Sequence, residues 1–222
     1  MLYNRVAVSA NIRNKDGKRV FYLAKGDQLT SEARDYLTRE RIEILPAEQA
    51  RPQRYQLLGG GYMEEKPEHM THLNAQVLVP KTHPRIAFRG AMDTLEAELL
   101  LCQLYAPQWE QELKEILEFA RRLLRCDVLE EAVPSMELCG MDEKQLRQRS
   151  HFPQNFYGQP HFMPGSEDGQ GVLYLNRARC AARHAELQAV ASLPELEDML
   201  KAMNRLSSML YILMIREKAK QP

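Results

Sequence analysis

Asn176, Arg179, Arg183 and Glu186 are separated by three, four and three residues, so on a helix they fall along one face. Two arginines one turn apart present forked donors at a fixed spacing, a geometry suited to a polyphosphate. The plainer reading of that spacing is a solvated face with Arg183 paired to Glu186. Asn204, Arg205 and Ser208 interrupt a strongly apolar run. Such groups could line a pocket between helices, or make an inter-helix hydrogen bond or a subunit contact. Asp93 follows Arg89-Gly90 and reads either as a first-turn acid favoured by the helix dipole or as the partner of an arginine across an interface.

A second group of candidates lies on loops. Met70-Thr71-His72-Leu73-Asn74 and Val77-Leu78-Val79-Pro80-Lys81 bring hydroxyl, amide and ammonium groups that could wrap a phosphate chain, without the glycine-lysine spacing of a P-loop. Gly59-Gly60-Gly61 reads as flexible linker rather than phosphate cradle. The six histidines include no His-Glu-x-x-His; His69 and His72, near Glu64, Glu65 and Glu68, could hold a metal but read better as an exposed polar loop. His161-Phe162-Met163-Pro164 could cover a flat apolar ligand or pack under a bundle.

These residues need elements to hold them. Arg19–Leu23 reads as a strand after the turn Asp16-Gly17, Thr30 and Ser31 cap a helix through Glu40, and Ile42–Leu45 alternates like a strand. Residues 1–50 therefore form a small α+β segment. Residues 51–70, with Pro52, Pro67 and the glycine run, read as linker. Residues 71–222 form a helical bundle of about four to five helices, so the fold class is mainly α with an N-terminal α+β appendage. Helical spacing begins near residue 88. Pro107 stops the first helix, and Leu113, Ile116, Leu117, Ala120 and Leu124 mark a second from Trp109 to Glu131. Residues 133–170 read as irregular apart from a short helix after Met141. The arginine helix covers 171–190, Ser192 and Glu195 suggest a capping box around Pro194, and the last helix carries an apolar stripe from Leu196 to Met214.

Composition narrows the function classes. The chain has 222 residues, with 30 basic and 30 acidic side chains, so a general basic footprint for nucleic acid is missing. Mean hydropathy is −0.48, as for a soluble globular protein. Met209–Ile215 is too short to span a bilayer, and no signal peptide is visible. Four cysteines without a Cys-x-x-Cys predict free thiols in a reducing cytoplasm.

Together the motifs resemble the ATP:corrinoid adenosyltransferases, over roughly residues 66–216. Thr71-His72-Leu73, Val79–Arg85 and Phe88–Leu95 resemble that family's ATP-loop end, phosphate-side lysine and Asp-containing first helix. Met163-Pro164-Gly165, with Arg179-x-x-x-Arg183-x-x-Glu186, resembles its proline-glycine loop and arginine helix. Asn204-Arg205-Leu206-Ser207 is similar to its Asn-Arg-Leu-Ser motif. Arg125-Cys126-Asp127 and Gly140-Met141-Asp142-Glu143 are similar to the ethanolamine-utilisation branch. The Thr-Gly-Asp-Lys-Gly phosphate loop of propanediol-type relatives is absent. Gly59–Glu64 stands where some relatives carry Cys-Cys-x-x-Cys, which argues against bound zinc or iron.

The resemblance implies transfer of the 5′-deoxyadenosyl group of ATP to reduced cobalamin, giving adenosylcobalamin and triphosphate. Lys81, Arg179 and Arg183 would then hold the triphosphate, with Mg²⁺ bridging its oxygens. Thr71, Asn204, Arg205 and Glu186 would bind or orient the nucleotide. Asp93 would pair with Arg179 of a neighbouring subunit in a dimer or trimer, and His161, Phe162 and Met163 would cover the corrin. The resemblance also implies a cytoplasmic enzyme associated with a bacterial metabolic compartment, with a flavin-type reductase or a cobalamin-dependent lyase as partner and with neither nucleic acid nor membrane. The competing expectation is a non-catalytic corrinoid carrier. An iron-type four-helix protein fails, because these helices lack Glu-x-x-His.

Overall fold

The structure is a computed structural model describing residues 1–15, 17–49 and 55–220. Asp16 of the expected turn and Pro52 of the expected linker lie outside the described residues. The chain divides into two units, Met1–Arg54 and Tyr55–Pro222.

The first unit contains β1 (Leu2–Tyr3), α1 (Arg5–Ala10), β2 (Arg13–Lys15), β3 (Lys18–Leu23), β4 (Gln28–Leu29), α2 (Ser31–Arg39) and β5 (Glu43–Pro46). β3 is central, antiparallel to β2 and parallel to β5, with Phe21 opposite Ile44. The parallel pairing requires a crossover, and α2 supplies it. The hydroxyl of Thr30 caps α2 by accepting from the Ala33 N–H at 3.2 Å. Val8, Phe21, Leu29, Ala33, Leu37 and Ile42 form this unit's own core.

The second unit opens with β6 (Tyr55–Leu57), β7 (Tyr62–Met63), β8 (Met70–His72) and β9 (Val77–Pro80), in the order β7-β6-β9-β8. Strands β6 and β7 therefore occupy part of the expected linker. The glycine run is their turn: Gly60 and Gly61 have φ of 92° and 86°, open to glycine without strain, and the Leu57 N–H donates to the Gly61 carbonyl at 3.1 Å.

Four long helices follow: α3 (Pro84–Tyr105), α4 (Glu110–Leu129), then, after β10 (Glu137–Leu138), β11 (Met141–Asp142), α5 (Glu143–His151) and α6 (Pro153–Tyr157), α7 (Gly169–Ser192) and α8 (Glu197–Ala219). The mainly α reading holds, with more short elements than the periodicity shows. The segment 133–170, expected to carry one short helix, also contains a hairpin and α6. Pro153 starts α6, since proline at the first helical position loses no bond. The expected capping box before the last helix does not form. Ser192 turns back instead to donate to the Gln188 carbonyl at 2.7 Å, and α8 has no side-chain cap.

The bundle core runs through Phe88, Leu95 and Leu99 of α3, Leu113 and Phe119 of α4, Leu175 and Ala182 of α7, and Leu206 and Leu213 of α8. Full burial of each large apolar side chain stabilises by roughly 1.5–3 kcal/mol. One polar joint is set into this apolar frame. Asp127 of α4 has a fully buried side chain and accepts from Arg85 Nε at 2.8 Å and Arg89 Nε at 2.6 Å. Arg85 Nη2 also donates to the Asp127 carbonyl. The clamp ties the start of α3 to the end of α4. Replacing Asp127 by alanine removes the buried carboxylate that two largely buried guanidinium groups share, leaving Arg85 only the exposed Glu130 at 3.4 Å. The Asp127→Ala variant is expected to lose about 3–5 kcal/mol of stability in urea unfolding.

Candidate active site

α7 presents two faces. Val172, Leu175, Ala178, Ala182, Ala185 and Ala189 are fully buried, and the intervening polar residues face away from them. Arg179 and Arg183 of that polar side line a cavity of about 540 Å³, together with His161, Asn204 and Arg205. With Ser208, which also lines the cavity, the structure thus brings together six side chains that the sequence singles out.

Their hydrogen bonds correct the plainer reading of the arginine face. Glu186 does not pair with Arg183; its Oε1 accepts from Asn204 Nδ2 at 2.7 Å. Asn204 Oδ1 in turn accepts from Arg205 Nη1 at 2.6 Å. One amide therefore joins α7 to α8 and orients an arginine. Arg205 is only 7% exposed, its Nη2 lies 3.6 Å from Glu143 Oε1, and its buried Nε has no partner among the described residues. Arg179 donates Nε and Nη2 to Asn176 Oδ1 at 3.2 and 2.9 Å, and its guanidinium carbon sits 5.7 Å from the Tyr211 ring centre. Neither Arg179 nor Arg183 has a carboxylate partner among the described residues.

His161 forms one wall. Its Nε2 lies 3.1 Å from the His151 carbonyl oxygen, which can only accept, so Nε2 carries the proton. Nδ1 is then the acceptor for the Tyr211 hydroxyl at 2.7 Å, and the two rings stack with an interplanar angle of 13°. Burial pushes the Tyr211 phenol above its ordinary ionisation range, opposed by the nearby Arg179 charge. Of the neighbours expected to act with His161, Phe162 is partly buried against the bundle core and Met163 is 90% exposed, and neither lines the cavity.

Glu186 and three other expected residues lie outside the cavity lining. Thr71 is paired with Val79 in the β8–β9 hairpin. Lys81 is exposed, with Nζ 4.0 Å from Glu68 Oε2. Asp93 is not in the first turn of its helix. Pro84 opens α3 and His83 Nδ1 caps it by accepting from the Arg85 N–H, so Asp93 falls in the third turn, beyond the reach of the dipole effect. It is exposed and forms no ion pair among the described residues.

Sequence reasoning gave no site role to Arg147, Ser150 and His151 of α5, or to Ser207 and Tyr211 of α8, all of which line the cavity. The signal was present. Glu143, Arg147 and His151 repeat by four on α5, a polar face that reads as solvated until the helix is docked. Among the described residues no three His, Cys, Asp or Glu side chains gather as metal ligands, and the β6–β7 hairpin offers neither cysteine nor histidine. No helix among the described residues is long and apolar enough to cross a membrane.

Comparison with known proteins gives a consistent result. Residues 61–217 match the family described as cobalamin adenosyltransferase. The corrinoid adenosyltransferase EutT of Salmonella typhimurium is 33% identical over 165 residues, and that of Escherichia coli is 32% identical. Each alignment covers 71% of this chain and 62% of the relative, so the chain spans under two thirds of the relatives it matches. A variant PduO-type ATP:corrinoid adenosyltransferase from Lactobacillus reuteri, complexed with ATP, shares the fold at TM-score 0.51 and 19% identity, over 70% of this chain and 93% of that one. Another variant of that protein, complexed with cobalamin and ATP, gives 0.50 and 18%, over 77% and 92%.

Tyr211→Phe keeps the ring beneath Arg179 and removes the hydroxyl. A phenol with a raised folded-state pKa stabilises the fold while both states are protonated. That contribution is lost as pH rises past the unfolded value of about 10. Urea unfolding between about pH 9 and pH 11 is expected to show a smaller alkaline loss of stability for Tyr211→Phe than for the wild type.

Proposed function

Because the chain belongs to the cobalamin adenosyltransferase family, we propose that it transfers the 5′-deoxyadenosyl group of ATP to reduced cobalamin, in the ethanolamine-utilisation manner of its EutT relatives. The observation that carries this reading is the cavity on α7 and α8, whose arginines Arg179 and Arg183 lack carboxylate partners among the described residues. In this reaction Co(I) supplies the electron pair. A cobalt–carbon bond forms at C5′ as the C5′–oxygen bond breaks, and triphosphate departs with the bonding electrons. The protein need not provide a nucleophile. It must align cobalt with C5′ and neutralise the departing charge.

Arg179, Arg183 and Lys81 bind the triphosphate in this proposal, with Mg²⁺ arriving on the nucleotide. Asn204, Arg205 and Thr71 orient the nucleotide, and Glu186 acts through Asn204, to which it is hydrogen-bonded. His161 covers the corrin, with Phe162 and Met163 on the same loop.

The active site is completed by a second copy of the chain. Asp93, Ala97, Leu100 and Leu104 are exposed at spacings of four, three and four on α3, and Arg183, Leu187 and Val190 are exposed at four and three on α7. Each stripe has a charge at one end and apolar side chains beyond it, as an interface would require. Asp93 of one copy then meets the arginine pair of another. We place the enzyme in the cytoplasm, associated with a metabolic compartment, receiving its reduced corrinoid from a flavin-type reductase or delivering its product to a cobalamin-dependent lyase.

Anaerobic mixing of the protein with ATP, Mg²⁺ and cob(I)alamin is expected to give adenosylcobalamin and triphosphate in equal amounts without added zinc or iron. Cobalamin binding without triphosphate release would instead indicate a carrier. Arg183→Ala should lower kcat at least about a hundredfold while leaving the unfolding curve unchanged, because the side chain is exposed. A complementation measurement checks the shared site: Asp93→Asn and Arg183→Ala, each inactive alone, should recover part of the wild-type rate when co-expressed, since mixed interfaces contain one intact site.

A further inference from the structure

The second unit contains twelve arginines, and what each one touches separates them. Arg85, Arg89, Arg121, Arg125, Arg177, Arg205 and Arg216 lie within ion-pair distance of a carboxylate. Arg122 and Arg149 sit over the rings of Phe119 and Phe156. The remaining three, Arg147, Arg179 and Arg183, have no carboxylate partner among the described residues, and all three line the same cavity. Two of them form the clamp already described. The third comes from α5, outside the four long helices.

The local geometry explains why Arg147 is left unpartnered. Its natural partner on a helix is the acid four residues earlier, Glu143. That carboxylate is directed instead to Arg205, 3.6 Å away. Four residues later stands His151, whose Nδ1–H donates to the Arg147 carbonyl at 2.8 Å and offers no negative charge. The helix itself is held firmly. Asp142 and Gln145 form a reciprocal cap at its start, with bonds of 2.8 and 3.0 Å, and Leu146 is fully buried. A rigid helix thus carries a free guanidinium to a cavity where Arg205 Nε is also buried and unsatisfied. The exposed Arg147 guanidinium offers an anion in the cavity a charge-assisted hydrogen bond, and the buried Arg205 donor adds a cost that an acceptor there would relieve.

We infer that Arg147 is a third arm of the polyphosphate clamp, binding the triphosphate chain from the α5 side. This rests on the adenosyltransferase reading, with the triphosphate as the leaving group. α7 supplies two guanidinium groups on one side, and α5 supplies one from a separate element. The clamp therefore depends on the docking of α5 as well as on the spacing of the arginine helix.

The experiment measures the dissociation constant of inorganic triphosphate by calorimetry, using the full chain and the variants Arg147→Gln, Arg147→Lys and Arg149→Gln. Arg147→Gln is expected to weaken binding about tenfold or more, as for loss of one charge-assisted hydrogen bond, and Arg147→Lys to recover part of the loss. Arg149→Gln removes the same charge from the same helix and should bind as the wild type does. Equal weakening by both glutamine variants, or none by Arg147→Gln, overturns the inference. A loss of cobalamin affinity with triphosphate affinity unchanged also overturns it, by assigning Arg147 to the corrinoid's phosphodiester. Adenosyl transfer at the wild-type rate in Arg147→Gln with unweakened triphosphate binding sinks the inference and leaves the enzymatic reading standing. Weakened triphosphate binding in a protein that forms no adenosylcobalamin does the reverse.

Discussion

The position of the cavity depends on how closely α7 can approach its neighbours. Its buried side is largely alanine, at 178, 182, 185 and 189, and alanine fills little space between helix axes. α7 packs against both α3 and α8 on that side. The opposite side carries the arginines, one turn apart with no freedom to slide, and beyond them the exposed Leu187 and Val190. A larger residue at the fully buried Ala182 would overpack this core and force α7 away from its neighbours, against the 2.7 Å bond by which Asn204 holds Glu186.

The same amide explains how a nearly neutral protein can hold a strongly cationic cavity. Asn204 takes Glu186 on one side and Arg205 on the other, so the acid is used for alignment rather than for neutralising the arginine pair. Glu143 is diverted to Arg205 in the same way. These two carboxylates are therefore spent away from Arg147, Arg179 and Arg183. Charge balance over the whole chain says nothing about this arrangement, because it arises only from which acid reaches which base.

The long helices were legible because their apolar residues repeat by three and four over many turns, as Leu113 to Leu124 do on α4. The arginine face and the Asn204–Ser208 interruption were legible for the same reason: helical spacing places side chains predictably. What could not be read was pairing at a distance. The Arg85–Asp127–Arg89 clamp joins residues about forty positions apart, and the short strands β6 and β7 have too few residues for a periodic signal. Asp93 was misplaced within its helix because Pro84 and His83 start α3 earlier than the apolar pattern suggests. The α5 face was overlooked because a polar repeat on a short helix looks the same whether it meets water or a cavity.

The hydrogen bonds of His161 have one more consequence. An imidazole usually offers a lone pair on one nitrogen, and that lone pair is what ligates metals or takes up protons. Here Nε2 is spent on the His151 carbonyl and Nδ1 on the Tyr211 hydroxyl, so no lone pair faces the cavity. The histidine acts as a flat panel, stacked on a tyrosine and held at both edges. Whatever lies against it meets a ring face, and the wall presents itself as an aromatic side chain would despite the nitrogens it contains.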